Sequence, residues 1–190
     1  MRALITTIAV LLLLAGCSPK KPWHATDISG SMPDLQFHMQ RASDGAEVTE
    51  ENYRGRAVLL YFGYTHCPDV CPTTLANISD VLKQLGRESE KVRVLFVSVD
   101  PNRDTLDILK PYARSFGPEV DGLRGNANEL AALARRYRVG YSVKTKPDYV
   151  VMHTSAVFFF DDKGRAKLVA TDTTDTAGLA DDLKRIVNGD

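Results

Sequence analysis

The chain has no surplus of charge in either direction: 24 Lys and Arg stand against 24 Asp and Glu among 190 residues. Nucleic-acid binders usually present a basic face, so this balance argues against that class. Cysteine is scarce, at three, too few for the disulfide scaffold of a small secreted domain. Neither a glycine-rich phosphate loop nor the H-E-x-x-H zinc pattern occurs, which removes two common nucleotide and metalloprotease readings. Internal repeats and low-complexity blocks are absent too. What remains is ordinary for a globular protein, with 44% apolar and 25% charged residues. Such a chain can bury a core, and its length fits about one domain.

The first seventeen residues have the form of an address. Arg2 supplies a short positive segment, and Ile5 to Leu14 is apolar apart from Thr6 and Thr7. This stretch falls short of the ~20 residues a spanning helix needs and suits a signal peptide. It closes on Leu14-Ala15-Gly16-Cys17, which resembles a bacterial lipobox. That resemblance implies cleavage before Cys17, lipidation of its thiol, and a membrane-anchored domain facing the periplasm of a bacterial cell envelope. Residues 1–16 are thus expected to be a lipoprotein signal peptide, 17–29 a Pro-stiffened tether, and 30–190 the folded domain. Outside the cytoplasm two thiols oxidise to a disulfide unless something keeps them reduced or metallated. With Cys17 carrying lipid, Cys67 and Cys71 remain as a pair.

Along the chain, Leu35 to Val48 carries the turn signal Ser43-Asp44-Gly45 between short alternations, predicting a hairpin. Ala57 to Phe62 is a continuous apolar run of strand length, as in a central strand buried on both faces. Cys71, Leu75, Ile78, Leu82 and Leu85 then recur at helical spacing, and Gly86 stands where a C-terminal cap belongs. Val92 to Val99 predicts a second buried strand, broken by Asp100-Pro101. Asp104 is expected to cap a helix running through Phe116 and kinked at Pro111. A brief strand is expected around Leu123, and Asn126 with Glu129 forms a capping box for a helix carrying Leu130, Leu133 and Tyr137. Tyr141 to Lys144 is a further strand candidate. Ala156 to Phe160, the turn Asp161 to Gly164, and Ala166 to Ala170 predict a hairpin, followed by a helix over Asp175 to Val187. The order is α/β, with a mixed central sheet flanked by helices and an N-terminal hairpin extension. A strand, a cysteine turn and a helix, with a hairpin and helix later, resemble the thioredoxin-like fold.

Tyr64-Thr65-His66-Cys67-Pro68-Asp69-Val70-Cys71-Pro72 joins the central strand to the first long helix. Positions four apart on a helix hold their β-carbons about 5–6 Å apart. That separation suits either a disulfide or one metal ion between two sulfurs. Unpaired N–H groups at a helix start stabilise negative sulfur, and thiolate is both nucleophile and soft-metal ligand. If Ala156–Phe160 runs antiparallel beside the central strand, its start lies next to that strand's end, and His153 faces the cysteine pair. Two thiolates and an imidazole suit copper, since thiolate selects Cu(I) and imidazole accepts Cu(II). The plainer alternatives are a structural disulfide and a histidine bonded to loop backbone.

Gly63 to Pro72, then Val97-Ser98-Val99-Asp100-Pro101-Asn102-Arg103-Asp104-Thr105, then His153 before the last hairpin, resemble the Sco/SenC family over roughly residues 30 to 188. The resemblance implies a thioredoxin-like fold binding copper through Cys67, Cys71 and His153. It also implies a metallochaperone that supplies the dinuclear copper site of cytochrome c oxidase, with that copper-site subunit or another copper protein as partner. Many members of the family carry an acidic residue before this histidine, where this chain has Met152. Alternation along an extended segment turns Met152 away from His153, and core packing is its expected role. Asp100 ends the strand beside the cysteine turn, where it can tune the charge at the metal or meet a partner; an Asp-Pro strand terminator is the plain alternative. His66, His24, Trp23 and His38 are expected at the surface or in packing.

A thiol-disulfide oxidoreductase working through Cys67 and Cys71 is the competing function. Thioredoxin-type motifs have two residues between the cysteines and a proline before the later strand. Here there are three, and Met152-His153-Thr154 takes the place of that proline. Both differences favour metal binding by a protein that turns over no small substrate. A thiol peroxidase would place threonine three residues before its nucleophile, where Tyr64 stands. Zinc held by the same three residues and a carboxylate remains a chemical alternative.

Overall fold

The computed structural model describes residues 21–189. The expected signal peptide and Cys17 lie outside the described residues.

Ala57–Gly63 forms the central strand β4, buried along its whole length. Its side chains alternate between two cores, Leu59 and Tyr61 entering one and Val58, Leu60 and Phe62 the other. That is why the run is continuously apolar: neither face meets water. Val92–Ser98 (β5) and Val120–Arg124 (β6) continue the sheet in parallel on one side. Val157–Phe160 (β9) pairs antiparallel on the other, followed by Ala166–Ala170 (β10). The hairpin of His38–Arg41 (β2) and Glu47–Thr49 (β3) extends the sheet beyond β6. Thr26–Asp27 (β1) closes the opposite edge on β10. The eight strands lie in the order β1-β10-β9-β4-β5-β6-β2-β3.

Helices Val70–Leu85 (α1), Leu106–Arg114 (α2) and Thr176–Val187 (α4) supply the core on the Leu59 side, and Ala127–Arg136 (α3) supplies the other. The expected stripe of α1 is buried from Cys71 to Leu85, and the helix stops at Gly86, whose φ of 59° favours glycine. Asn126 and Glu129 form the expected box at the start of α3.

Four features differ from expectation. Asp104 does not cap α2; Thr105 occupies the cap position, and the buried Asp104 carboxylate turns inward to other donors. That helix also ends at Arg114, because the following amides of Phe116 and Gly117 bond three residues back in a tighter turn. Residues 21–29, expected within the tether, lie against the domain. The Asp182 carboxylate accepts the amides of His24 and Ala25, Arg185 lies 3.7 Å from the Trp23 ring centroid, and β1 joins the sheet. Finally, Val150–His153 (β8) pairs antiparallel with Tyr141–Lys144 (β7) in a separate two-stranded sheet.

Candidate metal centre

β4 ends at Gly63, and the chain turns through Tyr64 to Asp69 before α1 opens at Val70. A Cβ on Gly63 would stand 2.6 Å from Phe96 Cε2 and 3.0 Å from Cys71 Sγ, so only glycine lets the turn approach this closely. Asp104 fixes the turn from below. It accepts the Thr65 amide at 3.0 Å, the Thr65 hydroxyl at 2.6 Å and the Ser98 hydroxyl at 2.6 Å.

This anchoring sets Cys67 in the turn and Cys71 in the first turn of α1. The Cys71 amide donates to Cys67 Sγ at 3.4 Å. From the other side, antiparallel pairing of β9 with β4 matches Val157 to Tyr61, and the segment just before β9 arrives over the cysteine turn. His153 Nε2 lies 3.3 Å from Cys71 Sγ. Single ligand atoms from Cys67, Cys71 and His153 all fall within 4.8 Å of one another. His153 Nδ1 is 3.1 Å from the carbonyl of Thr154, to which it donates. That leaves the Nε2 lone pair facing the sulfurs, as a metal ligand requires.

The two sulfurs differ electrostatically. Burial pushes the Cys67 thiol up, but the amides of Cys71 and Asp69 outweigh it, so the net shift is downward. Cys71 is pushed up to about 12, mainly by burial, with the neighbouring Cys67 adding to the shift. Burial also lowers His153 and keeps its imidazole neutral, against the opposing bond to Thr154. One half-exposed sulfur of lowered acidity constant, one buried thiol and one imidazole nitrogen therefore converge, with both cysteines free of any disulfide.

Asp100 is fully buried but is not among the converging donors; it bonds Arg103 and Tyr149. His66 points to Thr65 and Asp104. Met152 is 63% exposed, so the expected core role is wrong: β8 belongs to a two-stranded sheet and turns this side chain to solvent. A second group of donors, His24, Asp181 and Asp182, already has its partners, since Lys21 bonds Asp181 at 2.9 Å and Asp182 holds backbone amides. Sequence reasoning missed β8 and the roles of Tyr149 and Arg103. The short run Tyr149-Val150-Val151-Met152 of apolar, strand-favouring residues before His153 was the available signal.

The sequence profile described as SCO1/SenC matches residues 34–188. The chain belongs to the SCO1/SenC family. Among curated relatives, the mitochondrial protein SCO2 homolog of Bos taurus is 42% identical over 118 residues, covering 60% of this chain and 44% of the bovine protein. The chain thus spans less than half the length of that relative. The SCO2-like protein RP587 of Rickettsia prowazekii is 30% identical over 171 residues, 87% of this chain and 83% of its own. Bradyrhizobium japonicum ScoI, solved with copper bound, has a TM-score of 0.72 and 38% identity, covering 80% of this chain and 98% of that one. BsSco, described as a member of the Sco family of cytochrome c oxidase assembly proteins with a disulfide switch, has a TM-score of 0.65 and 25% identity, covering 90% and 98%. The thioredoxin-like fold expected from the sequence is the fold of this SCO1/SenC chain. Among the described residues, no helix is long and apolar enough to cross a membrane.

Proposed function

We propose that the protein is a copper metallochaperone of the bacterial cell envelope, lipid-anchored through Cys17, that loads the dinuclear copper site of cytochrome c oxidase. The observation that carries this reading is the convergence of Cys67, Cys71 and His153 within 4.8 Å. Copper-bound ScoI from Bradyrhizobium japonicum and the oxidase-assembly description of BsSco support it.

Copper is cargo here. Cys67, half-exposed and held toward its thiolate by helix amides, is the entry ligand. Cys71 enters as a thiol and loses its proton when a metal arrives, since ligation requires thiolate. His153 presents a neutral nitrogen and has no proton to lose at Nε2. Formation of a Cys67–Cys71 disulfide removes two of three ligands, which makes loading depend on redox state.

A second reading, thiol-disulfide oxidoreductase, draws on the half-exposed Cys67 sulfur, whose acidity constant is lowered. Cys67 would attack a partner disulfide and expel one partner thiolate, and Cys71 would then attack Cys67 sulfur and expel the second. Two electrons pass to the partner, and this chain ends as the disulfide. The raised Cys71 opposes that second step.

Metal transfer separates the two. Reduced protein loaded with one equivalent of copper is mixed with the reduced, metal-free copper-site domain of the oxidase. Movement of copper to the acceptor is expected, whereas failure to hold one copper per chain rejects the reading. Reduction of an oxidised acceptor by metal-free protein would favour the second. Labelled palmitate incorporation, lost in Cys17→Ser, tests the anchor.

A further inference from the structure

Asp100 holds two side chains that lead toward the imidazole. Its carboxylate has no solvent exposure. Oδ1 accepts the Tyr149 hydroxyl at 2.5 Å, and Oδ2 accepts Arg103 Nε at 2.5 Å. The Arg103 guanidinium carbon stands 3.9 Å from the Tyr149 ring centroid and 6.0 Å from that of Tyr64. Tyr64 meets the His153 ring edge-on, with centroids 5.8 Å apart and planes at 88°. Tyr149 also immediately precedes β8, which ends in His153. Two routes therefore run from one buried carboxylate to His153, one through side chains and one along a short strand.

The hairpin of β7 and β8 has no ladder to the eight-stranded sheet. At its base the Thr154 amide donates to the Gly140 carbonyl at 2.8 Å, and the Gly140 amide to Thr154 Oγ1 at 3.1 Å. Those bonds close the hairpin on itself. Beside the packing of Tyr141 and Val151 on the second core, the bond from Tyr149 to Asp100 ties it to the body of the protein, across 49 residues. Tyr149 is 36% exposed, so burial does not explain its placement. The hydroxyl of this partly exposed side chain instead serves the buried carboxylate, in a bond of the stronger, charge-assisted class.

We propose that Tyr149, latched to Asp100 and Arg103, is a positioning residue that fixes His153 against the Cys67–Cys71 pair. The consequence for metal rests on the copper reading above; the positioning itself does not. With the latch closed, a third ligand waits beside the two sulfurs. With the latch open, the hairpin carries the imidazole away, and only a two-sulfur site remains. Such a site still suits Cu(I), while Cu(II) loses the nitrogen it favours.

Tyr149→Phe keeps the ring and removes the hydroxyl. In metal-free reduced protein, proton NMR should show cross-relaxation between the Tyr64 and His153 rings in the parent. Loss of that signal is expected in Tyr149→Phe, with a cooperative melt retained. In the copper arm, Cu(II) affinity should fall about 10–100-fold, the usual effect of removing a support behind a ligand. Cu(I) affinity should stay within about threefold, because both thiolates remain. Arg103→Lys, which loses the planar stack, should shift both readouts in the same direction and replaces Tyr149→Phe if that variant fails to melt cooperatively. Unchanged ring-to-ring signals in the folded variant overturn the latch. A parent that binds no copper overturns the copper reading alone, since the metal-free signals still decide the latch.

Discussion

Cys71 Sγ and His153 Nε2 stand 3.3 Å apart although 82 positions separate them in the chain. Parallel and antiparallel pairing around β4 creates this contact. The strand ends at the cysteine turn, and its antiparallel neighbour β9 begins at the same edge. The site is thus a product of sheet direction, and its three donors can be altered one at a time.

His153 is only partly buried, at the end of a two-stranded sheet. Replacing it with alanine should leave the melt cooperative while removing one of the three proposed ligands. Supports behind a ligand are worth about 10–100-fold in affinity, and loss of the ligand itself should exceed that range. Competition against a chelator of known Cu(II) affinity measures the effect. Parent-like binding by His153→Ala would remove the imidazole from the site.

Oxidation should abolish tight copper binding, because a disulfide leaves neither sulfur as thiolate. Protein treated with a mild oxidant, desalted and titrated with Cu(I) should bind none with the parent's affinity, and dithiothreitol should restore binding. Equal retention by both forms would exclude the paired sulfurs as the principal ligands.

Acidity gives a third expectation. Cys67 is lowered and Cys71 pushed up to about 12. Iodoacetamide should therefore modify Cys67 first, with a pH profile below that of an ordinary thiol, and leave Cys71 largely untouched in the folded protein. Stability follows from the same asymmetry. An unfolded Cys71 ionises near ~8.5, whereas the folded one keeps its proton. The unfolded state thus binds fewer protons above that pH, and folding loses stability as pH rises from there toward 12. Urea midpoints at pH 7 and pH 10 should fall further in the parent than in Cys71→Ala. Equal falls would deny the raised acidity constant.

Asp104 takes three hydrogen bonds with no solvent exposure. Asp104→Ala leaves these donors without their acceptor, at a cost of about 2–4 kcal/mol. Because two of the three come from Thr65, beside the cysteine turn, copper affinity should fall as well. Urea denaturation and a chelator titration on the same variant test both effects. A stable variant with unaltered affinity would show that the turn holds itself.

The central strands, α1, the β9–β10 hairpin and the cysteine–histidine convergence were legible because each rests on local pattern or on one pairing rule. Apolar runs such as Ala57 to Phe62 belong only in a doubly covered sheet, and Asn126 with Glu129 announces its own helix. Asp104 was misjudged because a carboxylate before a helix looks the same in sequence whether it caps or turns inward. The apolar run Val150 to Met152 does not announce its sheet, since β8 pairs only in a separate two-stranded sheet and leaves two of its four side chains exposed. The bond of Tyr149 to Asp100 unites positions 49 apart by tertiary placement, which no local periodicity encodes.

The clasp at the start of the domain would limit its freedom if the chain is held at a bilayer as proposed. Arg185 grips the carbonyls of Lys21 and Pro22 at 2.9 and 3.1 Å. An acyl group on Cys17, as proposed, would then leave a leash of four steps, about 14 Å when fully stretched. On so short a leash a lipid-held carrier would not travel outward to meet a distant client. An acceptor of its proposed cargo would then have to come within a few nanometres of the lipid headgroups.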